Sequence, residues 1–330
     1  MPPEILLWHW FAFGALVVVL LVLDLCVFHK HDHVPSLKES VGWTIFWYTL
    51  ALIFNGFVWW WQGSEAGQQF LAGYLLEKML SMDNIFVFVV IFRFFAVPRQ
   101  YQYRVLFWGI LGAIFLRLVF ILGGVQLIKH FEWVMPLFGL FLVYTAFKLA
   151  IAGDAEVHPE SNLVLRVARR LVHVSRGNHE QHGHKFFVHE NGVRCLTPLF
   201  LVLLVIESTD VLFAVDSIPA IFGISTDPFI IFTSNIFAIL GLRALYFLLA
   251  GVMEMFRYLH YGLAGVLGFI GVDMVVEYAA VEWLGHNPEE KLVPTWGKLV
   301  IIVVVIGISV IVSVIANRRE AKQKERDQPK

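Results

Sequence analysis

The chain has 330 residues, a formal net charge of −1, a mean hydropathy of +0.71 and only 15% charged residues. Soluble domains carry about 25% charge, and a soluble chain of this length could not hide so much apolar surface. The composition therefore reads as an all-α polytopic membrane protein, a single transmembrane domain over 1–330, with no basic patch for nucleic acid.

In chain order, hydropathy predicts about nine spans of roughly 20–25 residues, the length that a bilayer core requires. The first, 5–28, is not a cleaved signal: it lacks a basic start, and its long apolar run holds Asp24. Asp24 reads as an interfacial residue or a helix partner. The histidines His29, His31 and His33 follow in HKHDH. The second span, 41–61, carries Asn55, expected to hydrogen-bond between helices. The third, 70–95, contains EKMLSMDN, Glu77 to Asn84. The fourth, 104–127, holds Arg117 in LGAIFLRLV, and the fifth, 132–152, ends near Lys148.

A polar, basic loop spans 153–193, with His179, His182 and His184 in NHEQHGH. Its RVARRLVHV piece is expected to form a short amphipathic helix on the membrane surface. The sixth span, 196–222, carries ESTDVLFAVDSIPA, Glu207 to Ala220. Spans at 228–250, with Arg243, 259–281, with Asp273, and 297–316 complete the set. The basic tail, 317–330, reads as a solvated and partly disordered end.

Lysine and arginine set the orientation. With the N-terminus outside, the predicted cytoplasmic segments hold 17 of them and the opposite loops only Lys129 and Lys291. That bias predicts an inner (plasma) membrane protein with a cytoplasmic C-terminus. The only cysteines, Cys26 and Cys195, fall at predicted cytoplasmic ends of spans, which argues against a structural disulfide.

Spans three to five and six to eight look like copies, 70–152 and 196–281. Glu77 and Asp83 are six apart, as are Asp210 and Asp216, and a small polar residue, Asn84 or Ser217, follows each second acid. The next span of each copy holds an arginine, Arg117 or Arg243. Three spans is an odd number, so the second copy enters the bilayer from the other side. Such inverted repeats place a transport site near the midplane at the repeat interface.

Six residues advance a helix by about 600°, so Glu77 and Asp83 point about 120° apart. Seven bring Glu77 over Asn84, and Asp210 over Ser217. Each motif helix thus presents a polar wedge. Pro219 frees the carbonyl of Val215, where the helix is expected to open. Oxygen donors from Glu77, Asp83, Asn84, Glu207, Asp210, Asp216 and Ser217 form a hard ligand set. It suits Mn²⁺, Mg²⁺ or Ca²⁺. Crowded carboxylates in low dielectric can also trade protons for a cation.

The opposing reading ties these acids to Arg117, Arg243 and Lys148 in structural ion pairs, since buried arginines also need partners. The five acids outnumber those three bases, which favours a site for cations. The histidine clusters read as solvated loops, or as a weak capture arm for metal. No Walker A, HExxH, GxSxG or dinucleotide-binding pattern occurs, so the chain is not expected to be an enzyme and any transport should run on an ion gradient.

At these residues the chain resembles the TerC family, named for tellurite resistance. The resemblance covers nearly the whole chain. It is carried by YLLEKMLSMDNIFVF, FFVHENGVRCLTPLFLVL, ESTDVLFAVDSIPAIF, TDPFIIFTSNIFAILGLRALYFLLAG and LHYGLAGVLGFIG. It implies a multi-span inner-membrane or thylakoid protein linked to manganese homeostasis and export, to metal loading of exported enzymes, and to tellurite or alkaline-stress phenotypes. The family's acidic motif positions correspond to Glu77, Asp83, Asn84, Glu207, Asp210, Asp216 and Ser217. One departure stands out. The family pattern resembles FIGxK, whereas this chain reads FIGVD, with Asp273. Exchanging a base for an acid is expected to shift the local charge by −2 and to alter pairing or proton coupling. Three functions follow: a Mn²⁺/proton antiporter, a non-transporting metal-binding partner, or an oxyanion transporter. The acidic surplus disfavours the last.

Overall fold

The computed structural model describes residues 5–28, 36–152, 162–175, 177, 179–190, 192–250, 258–287 and 291–327. Its long helices follow the predicted spans: α1 (Leu7–Phe28), α2 (Leu37–Gln62), α3 (Ser64–Phe94), α4 (Arg99–His130) and α5 (Val134–Ala152). After the loop helices α6 (Leu163–Leu171) and α7 (His179–His182) come α8 (Pro198–Phe222), α9 (Pro228–Leu240), α10 (Leu242–Leu249), α11 (Leu259–Leu284) and α12 (Thr295–Asp327). Among the described residues seven helices, α1, α2, α4, α5, α8, α11 and α12, are long and apolar enough to cross a membrane. The pair α9 and α10, bent by 41°, adds an eighth. The third predicted span, α3, is long enough but too charged to count with them, because Glu77, Lys78 and Asp83 crowd its centre.

Local sequence explains where the helices begin. Ser36 and Glu39 form a reciprocal capping box on α2. Thr197 caps α8 and Asp227 caps α9, each followed by a proline that forfeits a donor the first turn does not need. Asp227 accepts from the amides of Phe229 at 2.8 Å and Ile230 at 3.2 Å. The helix expected to open at Pro219 runs unbroken to Phe222. The break falls one element later, at Gly241, where a Cβ would meet Lys78 Nζ and Trp47 Cβ at 3.0 Å. Crowding from two neighbouring helices fixes the break there, and a lone proline does not.

α9 lies at the centre, buried at every residue from Phe229 to Leu240. α3 packs along it, with α2 and α1 covering one side and α4 the other. α8 packs against α3, α4 and α5, and α12 covers α11 and α3. The closest pair is α5 with α11. Gly139 and Gly271 let these backbones touch: a Cβ on either would come within 2.7 Å of the other's carbonyl oxygen. In lipid such close packing replaces the hydrophobic effect as the force between helices. Exposed apolar residues such as Phe11, Val18, Trp60, Phe115 and Ile311 coat the outside.

The loop between α5 and α8 contains one departure from an all-helical plan, a hairpin of β1 (Phe187–Glu190) and β2 (Val193–Leu196), with Val188 opposite Cys195. Gly192, at φ +79°, turns it. The expected amphipathic helix is present as α6 and exposes Leu163, Val164 and Val167. It does more than lie on a surface, because Leu165 is buried in the core and the cap residue Asn162 donates to Ser208 Oγ on α8 at 2.8 Å. His29, His31 and His33 lie outside the described residues, as do 153–161 of the loop and 328–330 of the tail.

Candidate functional site

The site is built where α3, α4, α8 and α9 meet. Glu77, almost fully buried on α3, pairs with Arg117 of α4 at 2.6 Å. Arg117 also donates to Asn235 Oδ1 on α9, and Asn235 Nδ2 returns to the Ile231 carbonyl at 3.1 Å. Asp210, buried on α8, shares the field of the same guanidinium. One cation therefore stands between two carboxylates. Asp210 Oδ2 has no hydrogen-bond partner, and neither do the buried hydroxyls of Ser81 on α3 and Ser217 on α8. Asp210 lines a small closed cavity of about 10 Å³ with Arg243, Phe88 and Ile206, about the room of one water.

Glu207, one turn before Asp210, rests its carboxylate against Gly112 of α4, where any Cβ would overlap it. The absent side chain makes the cradle. Asp83 is half-buried on α3. Neither Asp83 nor Glu207 forms an ion pair or hydrogen bond among the described residues. Asn84 is buried beside Asp83. Asp216 stands apart: it accepts from Thr145 of α5 at 3.2 Å and lies near the exposed Lys148. Among the described residues no three His, Cys, Asp or Glu side chains lie close enough to share a metal ion. The structure thus gathers Glu77, Asp210 and Arg117 closely, with Glu207 adjoining, and leaves Asp83 and Asp216 at a distance from a common ion.

The other expected charge partners are sorted by the fold. Arg243 does not join the central acids. It pairs with Asp24 on α1, donates to the Asp24 carbonyl at 3.2 Å and stacks over Tyr103 at 4.2 Å. Asp24 is a helix partner, one of the two roles expected of it. Asn55 is buried, but its Oδ1 accepts no hydrogen bond, against expectation.

Asp273 has a basic partner. Lys298 of α12 meets it at 2.5 Å, both side chains being nearly fully buried, donates to the Gly223 carbonyl at 2.9 Å and lies 3.8 Å from the partly exposed Glu277. One base from α12 thus answers Asp273 but is shared with a second carboxylate, so the expected excess of negative charge is reduced and not cancelled. Lys298 sat unremarked in an apolar span. Its place within one turn of Thr295 gave no hint of the partner, which depends on how α12 rotates against α11. Replacing it by methionine is expected to cost about 3–5 kcal/mol by stranding Asp273, and adding Asp273→Asn should restore most of that. Thermal unfolding of the detergent-solubilised variants measures both; an unchanged Lys298→Met would reject the pairing.

Two further residues escaped the sequence reading. Asn235 stood in the apolar run of α9, and its offset from Arg117 has no periodic signal. Lys78 follows Glu77, and its buried ammonium has no hydrogen-bond partner, lying 5.2 Å from the Tyr48 ring and 5.7 Å from that of Tyr74. Of the loop histidines, His182 contacts Ser175 Oγ at 2.6 Å and Glu190 at 3.6 Å, and Ser175 also donates to Glu190. His184 is exposed, and only the backbone of His179 is described.

The family model for integral membrane proteins of the TerC family matches residues 62–321. The chain belongs to the TerC family. Among its TerC relatives, a Myxococcus xanthus protein described as an uncharacterized membrane protein, STKORF319, is 47% identical over 321 residues, 97% of this chain and 96% of the relative. A Salmonella typhi protein described as a proposed membrane-bound redox modulator, Alx, is 46% identical over 276 residues, 81% of this chain and 85% of the relative. One of the same description from Photorhabdus laumondii is 40% identical over 325 residues, 96% and 97% of the two chains. No solved structure matches this TerC protein.

Proposed function

We propose that the chain is a secondary transporter that exports a hard divalent cation, with Mn²⁺ the preferred ion, in exchange for protons. In this reading it sits in an inner (plasma) membrane with nine spans, N-terminus outside and C-terminus cytoplasmic. The observation that carries the reading is the unneutralised acid at the centre. Arg117 pairs with Glu77 and acts on Asp210, the buried Lys78 adds one further base beside Glu77, Arg243 pairs with Asp24, and among the described residues Glu207 and Asp83 have no basic partner, so four acids face two bases. The unpaired oxygens of Asp210, Ser81 and Ser217 add hard donors that are buried and unsatisfied, at a cost that a bound cation or water would remove. Such oxygens fit Mn²⁺, Mg²⁺ or Ca²⁺.

The packing supports two inverted copies, α3–α5 and α8–α11. Exchanging α3 with α8 and α4 with α9 turns the α3–α9 contact into the α8–α4 contact, and both exist. Exchanging α5 with α11 leaves their own contact in place. The acids do not yet surround one point, so ion binding in this reading brings the two motif helices together, as alternating access between repeats does. No bond is made or broken, and Mn²⁺ is cargo.

A non-transporting metal-binding partner is the second reading, favoured by the distance of Asp216 from Arg117. The redox description carried by two relatives has little thiol chemistry to draw on here. The chain has two cysteines, and Cys195 is buried.

Proteoliposomes with an internal Mn²⁺ indicator and an imposed proton gradient separate these readings. Wild-type protein should carry Mn²⁺, and Asp210→Asn or Asp216→Asn should lower the flux by at least about tenfold with the fold intact. Mn²⁺ binding without flux would transfer the case to the second reading. Cells lacking the protein should accumulate manganese.

A further inference from the structure

On the side that carries the basic loops, a pocket of about 450 Å³ opens between the ends of α2, α3, α4 and α10. Its wall is made by the α3–α4 turn. Ala96 takes a left-handed backbone, φ +49°, and the Val97 amide reaches back to the Phe92 carbonyl at 2.9 Å. That sharp reversal sets Arg93 and Arg99, six residues apart in sequence, on one cavity. Both guanidinium groups are exposed, and neither has a carboxylate partner among the described residues. No acidic residue lines the pocket among the described residues.

The floor is rigid and polar. Tyr246, itself buried, feels both arginines and donates to Gln102 Oε1 at 2.8 Å, while Gln102 Nε2 donates to the Val97 carbonyl at 3.0 Å. Pro98 starts α4 without a side-chain cap, so the positive end of that helix adds to the field. Leu37, on the pocket lining, is exposed, and so is Phe94, the residue after Arg93 in the chain.

From this arrangement we infer a binding site for the phosphate headgroup of an anionic phospholipid. Two unpaired guanidinium groups are the planar donors that phosphate oxygens accept from most readily. Basic pockets between helix ends at a membrane surface hold such headgroups. The exposed Leu37 and Phe94 offer acyl chains a place to lie, which a soluble phosphate would not use, and this decides for the lipid. The site is separate from the carboxylates of α8, so its failure would leave the transport reading untouched.

The test uses delipidated full-length protein in detergent, with lipid binding followed by native mass spectrometry and thermal unfolding. Phosphatidylglycerol should bind and raise the unfolding temperature more than phosphatidylcholine. Arg93→Gln/Arg99→Gln should weaken phosphatidylglycerol binding by about tenfold or more and leave phosphatidylcholine binding unchanged. Each single variant should give part of that loss, so the result does not depend on the double variant folding. Equal retention of the two lipids, or unaltered phosphatidylglycerol binding in Arg93→Gln and Arg99→Gln, would overturn the site. Inorganic phosphate displacing phosphatidylglycerol completely would show a soluble-anion site and overturn the lipid assignment.

Discussion

Arg117→Met should be among the most damaging single substitutions in this chain. It removes the base that Glu77 meets at 2.6 Å and that Asp210 also feels, leaving Asp210 without its counter-charge and Glu77 with only the neighbouring Lys78. Breaking a buried pair by removing one partner costs about 3–5 kcal/mol, comparable to a small domain's whole stability. The folded fraction recovered from membranes should fall sharply. Adding Glu77→Gln should recover part of it, because one stranded charge is gone, and Asp210→Asn should recover a further part. Fluorescence-detected size-exclusion chromatography after graded heating measures this series. A variant as heat-stable as the wild type would mean that Arg117 is a bystander and that the acids are held by something else.

Gly271→Leu comes second, and it acts by shape alone. A Cβ at Gly271 lies 2.6 Å from the Gly139 carbonyl oxygen and 3.0 Å from Leu142 Cβ. Overpacking in a core costs about 1–3 kcal/mol when side chains can yield. Here the opponent is backbone, so the expected cost exceeds about 3 kcal/mol and separates α11 from α5. Gly271→Ala should cost less but remain clearly measurable. Gly265→Ala is the control, because its Cβ would meet only Val305 Cγ1 at 3.6 Å. If both alanine variants unfold at the wild-type temperature, the helices are not in the close contact described.

What could be read beforehand follows a physical line. Span positions were legible because lipid imposes apolar length on every crossing; the exact helix starts, set by the caps Ser36, Thr197 and Asp227, were not read from hydropathy. The acids were legible as unusual because they cost so much in an apolar run. Their partners were not. Arg117 and Arg243 were expected to hold the same place in two copies, yet one meets Glu77 and the other pairs with Asp24 on α1. Which base meets which acid depends on helix rotation, and rotation is set by packing over the whole bundle. The break at Gly241 was hidden for a related reason. Pro219 was the stronger letter, but only the neighbouring Trp47 and Lys78 decide where a buried helix must bend. Even α3 shows the limit: the two acids that marked it as functional, with the unremarked Lys78, keep it from passing as an ordinary lipid-crossing helix.

The lysine of α12 that answers Asp273 has a consequence for building hybrids. A relative that keeps its base within FIGxK is electrically complete without help from its last helix. This chain is not. Grafting such a relative's final helix onto it would bury a carboxylate opposite apolar side chains, and the reciprocal graft would set two ammonium groups face to face. Both hybrids should express poorly, while one that exchanges the last two helices together should assemble. In this chain the two segments therefore have to be exchanged as a unit.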